Sequence, residues 1–122
     1  MTFAAVRAIG CRLPDVEEST MYGSPALKIR GRMIACMASH KSAEPNTLVV
    51  MVPFEQRCAL IEEQPDTYYL KAHYENYPAV LVRLSRIKRD ALEDLLRGAW
   101  QFVREKAAHR AAGPRRRRRP AQ

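Results

Sequence analysis

Three groups of side chains in this sequence could do chemistry, and all three are built from cations and rings. Lys28 and Arg30 alternate with Leu27 and Ile29, and Arg83 alternates with Val82 and Leu84. Gathered on one open sheet face, such cations would meet phosphates and hold them without regard to base sequence. The run YYLKAHYENYP, residues 68–78, interleaves Tyr68, Tyr69, Tyr74 and Tyr77 with Lys71 and His73. Rings beside cations can stack unpaired bases, each good stack contributing about 1–3 kcal/mol. Finally, GPRRRRRPAQ carries Arg115, Arg116, Arg117, Arg118 and Arg119 in succession. Five phosphate contacts on duplex DNA would give a log–log salt slope of about −4.5, from about −0.9 each.

Each group also has a plain structural use. One face of an antiparallel sheet is commonly wet, and long cations cover it well. Tyrosines anchor loops to a core with the hydroxyl outward. A terminal charge run can be no more than a solubilising tail.

Other chemistries find no nominee. His40, His73 and His109 are far apart, with no carboxylate or cysteine at metal-ligand spacing, so no metal or cofactor is expected. The segment of residues 3–13 contains Arg7 and Arg12 but no acid, so it offers no carboxylate cluster for a metal. The serines sit in no nucleophile elbow, no phosphate-binding glycine loop is present, and Glu17-Glu18 and Glu62-Glu63 read as solvated pairs, so the protein is not expected to be an enzyme. Cys11, Cys36 and Cys58 are odd in number and lie among apolar neighbours, as reduced core residues would; this favours the cytoplasm. No apolar run approaches the roughly 20 residues that cross a bilayer.

The charge is unevenly placed. The chain of 122 residues carries a formal +8, but residues 1–108 hold 15 Lys and Arg against 13 Asp and Glu, a balance of +2; Arg110 and Arg115–Arg119 supply the other +6. The expected organisation is therefore one domain over 1–108 and a disordered Arg-rich tail over 109–122.

The elements that must position these groups follow from periodicity. FAAVRAIGCRL spaces Phe3, Val6, Ile9, Gly10 and Leu13 as an amphipathic helix, with Thr2 at the N-cap. After LPDVEEST the period becomes two. Gly31-Arg32 is the expected hairpin loop, pairing Arg30 with Met33, Ile29 with Ile34 and Lys28 with Ala35. In that register the cations share a face with Met33, Ala35 and Met37, while Leu27, Ile29, Ile34 and Cys36 face away. YGSP, with Gly23 and Pro25, suits the preceding turn. LVVMV and AVLVRL are strands, TYYLKA is an edge strand, and FEQRCALIEEQ is a short helix with Phe54, Cys58 and Ile61 on its apolar side. RDALEDLLRGAWQFVREKA sets Leu92, Leu95, Leu96, Ala99, Phe102 and Val103 on one stripe of a long helix. Without βαβ alternation, the expected architecture is α+β: two layers, an antiparallel sheet with its helices on one face.

LPDVEE, YGSPALKIRGRMIA, PDTYYLKAHYENYPAVLVRL and a final helix carrying AW, in that order over residues 13–103, resemble the MmcQ/YjbR family of small bacterial proteins. The resemblance implies a CyaY-like two-layer sandwich and DNA binding, with no settled reaction, and it pairs the YGSP segment with the lysine that follows. The chain departs from the family pattern at Leu27, where an aromatic is usual, near Ala79, where a tryptophan is usual, and at Lys88-Arg89 and REKA.

The functional expectation is a non-enzymatic, weakly and non-specifically nucleic-acid-binding module, monomeric by default, with DNA ahead of RNA and no membrane partner. Lys28, Arg30, Lys71, Arg83 and Arg115–Arg119 would make the contacts. The alternative is a small-ligand or protein-recognition module with a pocket near Tyr22, Lys28, His73, Tyr74 and Tyr77.

Overall fold

The computed structural model describes the backbone of residues 1–118 and the side chains of residues 1–106. Its elements are helix α1 (Phe3–Gly10), strands β1 (Val16–Met21), β2 (Ser24–Ile29), β3 (Arg32–Met37) and β4 (Thr47–Met51), helix α2 (Phe54–Glu63), strand β5 (Tyr68–Tyr69), a 3₁₀ turn (Ala72–Tyr74), strand β6 (Ala79–Arg83) and helix α3 (Arg89–Arg118). The expected disordered tail over 109–122 lies outside the residues whose side chains are described, and outside the described backbone altogether from 119 onward.

The six strands form one antiparallel sheet in the order β1-β2-β3-β4-β6-β5. All three helices pack on one face, as periodicity predicts. That layer buries Val6 and Ile9 of α1, Leu92, Leu95, Leu96, Ala99 and Val103 of α3, and the strand residues Leu27, Ile34, Leu48, Val50, Val80 and Val82. Leu60 and Ile61 of α2 pack against the same cluster. Gly10 is needed where α1 crosses β2, because a Cβ there would run into the Leu27 side chain. Thr2 stands at the N-cap position of α1, but its side chain makes no capping hydrogen bond.

Several expectations change. VEESTM is strand β1, paired along its length with β2; its polar, mostly exposed residues carry no apolar alternation, and its partner decides its conformation. Among the cysteines only Cys36 is buried, while Cys11 and Cys58 are exposed, and all three are free thiols. Phe54 and Cys58 of α2 are exposed too, and the buried member of that helix is Arg57.

The hairpin correction matters most. The loop is Arg30-Gly31, both at positive φ (51° and 81°), not Gly31-Arg32; this is the primed two-residue turn that matches strand twist. Ile29 therefore pairs with Arg32 and Lys28 with Met33, and a bulge then shifts the register so that Leu27 pairs with Ala35 and Ala26 with Cys36. A bulge inserts one residue and re-aims those beyond it. Ile34 and Ala35 both enter the helix-side core, and Cys36 turns to the opposite face, the reverse of the expected assignment for Ala35 and Cys36.

Candidate functional site

The face away from the helices is not a wet sheet. Ala26, Cys36, Val49, Tyr69, Tyr74, Ala79 and Leu81 form a second buried cluster there, flanked by Met21, Met33 and Met51. Part of it is roofed by the segments after β3 and before β6, and the remainder lies open as a groove of about 720 Å³.

The groove runs the length of β3. By register Tyr22, Ala38, Ser39 and His40 stand at one end and Arg32 and Met33, with Val103 and Lys106 of α3, at the other; Met51, Ala79 and Tyr77, whose carbonyl accepts the Ala79 N–H at 2.8 Å, make the side wall, from which His73 and Tyr74 reach His40. The register explains the second group. Arg32 opposite Ile29 leans to the helix side of the sheet, at the end toward which α3 runs, where Trp100 Nε1 donates to the Pro14 carbonyl at 2.9 Å. The methionines and small residues make the floor, and no carboxylate lines it: the ionisable side chains present are Arg32, Lys106, two imidazoles, two tyrosines and the Cys36 thiol besides Tyr22. Burial pushes that thiol up to about 11, only partly offset by Lys28, so it stays protonated.

The aromatic end is held in place by specific contacts. Tyr22 and Gly23 form the two-residue turn between β1 and β2, both at positive φ (54° and 80°). Such a turn favours Asn or Gly at its first position, yet here it holds out a tyrosine that is 87% exposed. The His40 and His73 rings stack at 3.7 Å between centroids, 11° from parallel, and Tyr74 meets both edge-on. His40 Nδ1 accepts the Ser42 backbone N–H at 3.1 Å and lies 2.7 Å from Ser42 Oγ, which fixes the neutral ring with its proton on Nε2. Desolvation first, then the neighbouring His73 and Lys41, hold His40 below the usual histidine range.

Arg57 braces the wall that carries Tyr77. From α2 its guanidinium donates to the carbonyls of Tyr77 (2.9 Å), Ala79 (3.3 Å) and Glu75 (3.3 Å), and it lies 4.8 Å from the Phe54 ring centroid. Helical periodicity gave no sign of it, because an arginine on a polar helix looks solvated until its carbonyl partners are in place.

Of the residues expected to contact nucleic acid, only Arg83 and Lys71 meet, around Tyr69 and Glu44, and Lys28 and Arg30 stand elsewhere. Arg83 donates to both oxygens of Glu44 (2.9 and 2.8 Å) and to the carbonyls of Pro65 and Asp66 (3.1 Å each), stacked 4.2 Å from the Tyr69 ring. Tyr69 Oη in turn accepts the Glu44 N–H at 2.8 Å and lies 2.6 Å from Thr47 Oγ1. The paired guanidinium holds the Glu44 carboxyl below its ordinary range against some desolvation. Arg30 sits in the hairpin turn rather than on the sheet face, 3.5 Å from Asp15. Lys71 lies 6.0 Å from the Tyr69 ring. Lys28 is half-buried beside Met33 and Cys36, next to the groove but not lining it. Arg115–Arg119 lie outside the described side chains. Of the pocket candidates, Tyr22, His73, Tyr74 and Tyr77 do converge.

Arg32, His40, Lys106 and the methionines were missed as groove residues. Met21, Met33 and Met51 share a face only after pairing, and no spacing in the sequence links His40 to His73. Among the described residues no cluster of three potential metal ligands occurs, and no helix is long and apolar enough to cross a membrane.

Comparison with known proteins places this architecture. Uncharacterized proteins of Mycobacterium bovis and Mycobacterium tuberculosis are 48% identical over 42 residues, 34% of this chain. That match spans about a third (33%) of the length of these curated relatives. The crystal structure of a Deinococcus radiodurans protein with a DUF419 domain shares the fold at 22% identity and a TM-score of 0.70, covering 92% of this chain and 88% of that one. A family model described as YjbR matches residues 11–102. Those residues take in the sheet and α2 whole and α3 as far as Phe102, so the chain belongs to the YjbR family.

Proposed function

We infer that the protein is a non-enzymatic recognition module that takes its ligand in the groove on the open sheet face. The groove itself carries this reading. Its volume of about 720 Å³ lies in the range of small-molecule sites, about 300–1,000 Å³, and it combines an apolar floor with a few polar groups at its ends. Its lining contains no paired carboxylates, its one serine, Ser39, makes no hydrogen bond to the His40 ring, whose Nδ1 is taken by Ser42, and its one cysteine is held as the thiol. The test is a two-dimensional NMR titration of the full chain with 1-anilinonaphthalene-8-sulfonate. Shifts concentrated at Met33, Met51, His73 and Tyr77 support the reading; shifts scattered over the surface overturn it.

A second reading, DNA binding, is favoured by the charge distribution: Arg110 and Arg115–Arg119 hold six of the eight net charges. With Arg83 and Arg30 engaged in ion pairs, the arginine run is the principal source of affinity for a polyanion. Replacing all five of Arg115–Arg119 by serine should weaken duplex binding and flatten its salt slope by about 4.5. Equal binding by both proteins between 50 and 200 mM salt would remove this reading.

A further inference from the structure

The groove is polarised, and the polarity selects a ligand. Building on its assignment as the binding site, we propose that it takes an elongated amphiphilic monoanion, an unbranched acyl carboxylate, with the carboxylate at Arg32 and Lys106 and the chain along β3 toward Tyr22. Four observations point this way.

Charge comes first: the lining has two permanent cations, both at one end, and no carboxylate to compete with a bound anion. Among the described residues the Arg32 guanidinium makes no ion pair or side-chain hydrogen bond, and Lys106 Nζ lies 5.4 Å from the Phe102 ring centroid without an ion pair. A guanidinium and an ammonium together suit a carboxylate, which accepts charge-assisted hydrogen bonds at both oxygens.

The second observation is the floor. Met21, Met33 and Met51 with Val49, Cys36 and Ala79 supply soft, adaptable, apolar contacts rather than a fixed hydrogen-bond pattern. Methionine adapts to flexible apolar partners, and such a floor offers nothing to read the edges of bases.

Length is the third. β3 has six residues, so the groove extends for about 20 Å at about 3.3 Å per residue. An extended chain fills that length, whereas a compact metabolite leaves most of it wet.

The far end is the fourth. Tyr22 and His40, with His73 stacked on it, close the groove with ring surfaces and carry no permanent charge. This suits the methyl end of a chain and not a second charged group.

Isothermal titration of the full chain, below micelle-forming concentrations, tests this with dodecanoate, dodecan-1-ol, dodecylamine and butanoate. Dodecanoate should bind at least about tenfold more tightly than the alcohol, one charge-assisted contact corresponding to about that factor. Dodecylamine and butanoate should not bind measurably. The double variant Arg32→Gln, Lys106→Gln should lose at least about tenfold for dodecanoate and nothing for dodecan-1-ol, while Arg32→Lys retains most of the affinity and shows that the fold tolerates change there. Equal affinities for acid and alcohol, or a double variant that loses neither, overturn the head-group assignment yet leave the groove as the site. If no chain-bearing probe binds and the anilinonaphthalene sulfonate also fails to shift the groove, both readings fall. Displacement of dodecanoate by a single-stranded oligonucleotide would give the groove to nucleic acid and end the amphiphile proposal.

Discussion

Arg83 and Arg32 are both half-buried arginines bordering apolar surface at the rim of the sheet, and they are used in opposite ways. Arg83 is saturated by Glu44 and two backbone carbonyls, with Tyr69 beneath it, so the cluster ties the Glu44 loop and the chain before β5 to the end of β6. Arg32 borders an apolar groove with no acid in its lining. Both regions would be described from composition as rings interleaved with cations. What separates them is whether the cation's hydrogen-bonding capacity is consumed inside the fold. A saturated arginine stabilises; one left facing a cavity is available to a ligand.

That contrast can be broken or sharpened by measurement. The largest effect should come from Arg57→Leu, which strips three carbonyls of a buried charged donor. A loss of about 2–4 kcal/mol in urea unfolding is expected, together with slackening of the wall that carries Tyr77. A loss below about 1 kcal/mol would mean the brace is not structural. Next, Arg83→Ala should cost about 1–2 kcal/mol, discounted because the side chain is 25% exposed, whereas Arg32→Ala should change stability by no more than about 0.5 kcal/mol. Equal costs for the two would erase the distinction between a saturated and an available cation.

A smaller effect is expected from acid. His40 is held neutral in the fold, so the unfolded chain binds more protons once pH drops below its ordinary pKa of 6.5. Stability is then complete above about pH 6.5 and falls as pH is lowered from there toward the depressed folded value, because protonation removes the Nδ1 acceptor and sets a cation beside His73 and Lys41. Comparing melting temperatures at pH 7.5 and 5.5, the wild type should lose more than His40→Gln; parallel losses would show that the ring is not coupled to folding. Glu44 works at lower pH: its stabilisation is present above about 4.5 and declines as pH falls through its lowered folded value. Smallest in energy but easily read, Cys11 and Cys58 should react quickly with a thiol reagent at pH 8 while Cys36 reacts slowly, being buried and held protonated. Fast labelling of all three would mean that the second cluster opens readily.

Much of the fold was legible because it depends on period. The stripe Leu92, Leu95, Leu96, Ala99 and Val103 and the runs in β4 and β6 bury as their spacing requires. β1 was not, since an edge strand of Glu, Ser and Thr carries no alternation and gains its conformation from pairing with β2. The hairpin register failed by one residue because Arg30 takes the left-handed conformation that glycine takes more readily, and glycine was accordingly placed first in the loop.

The sequence by itself determined the α+β class, the family, the long apolar stripe of the last helix and the concentration of positive charge beyond residue 108, because each depends on composition or on contacts between near neighbours in the chain. Only the tertiary structure decided which rings and cations meet. A single bulge after Met33 reverses the faces of Ala35 and Cys36. Pairing across β3, β4 and β6 brings His40 to His73, Arg83 to Glu44 and the methionines into one floor. Those are long-range pairings, set by register and by which polar groups find partners once water is excluded, and nothing local to Lys28, Arg32 or His73 encodes them.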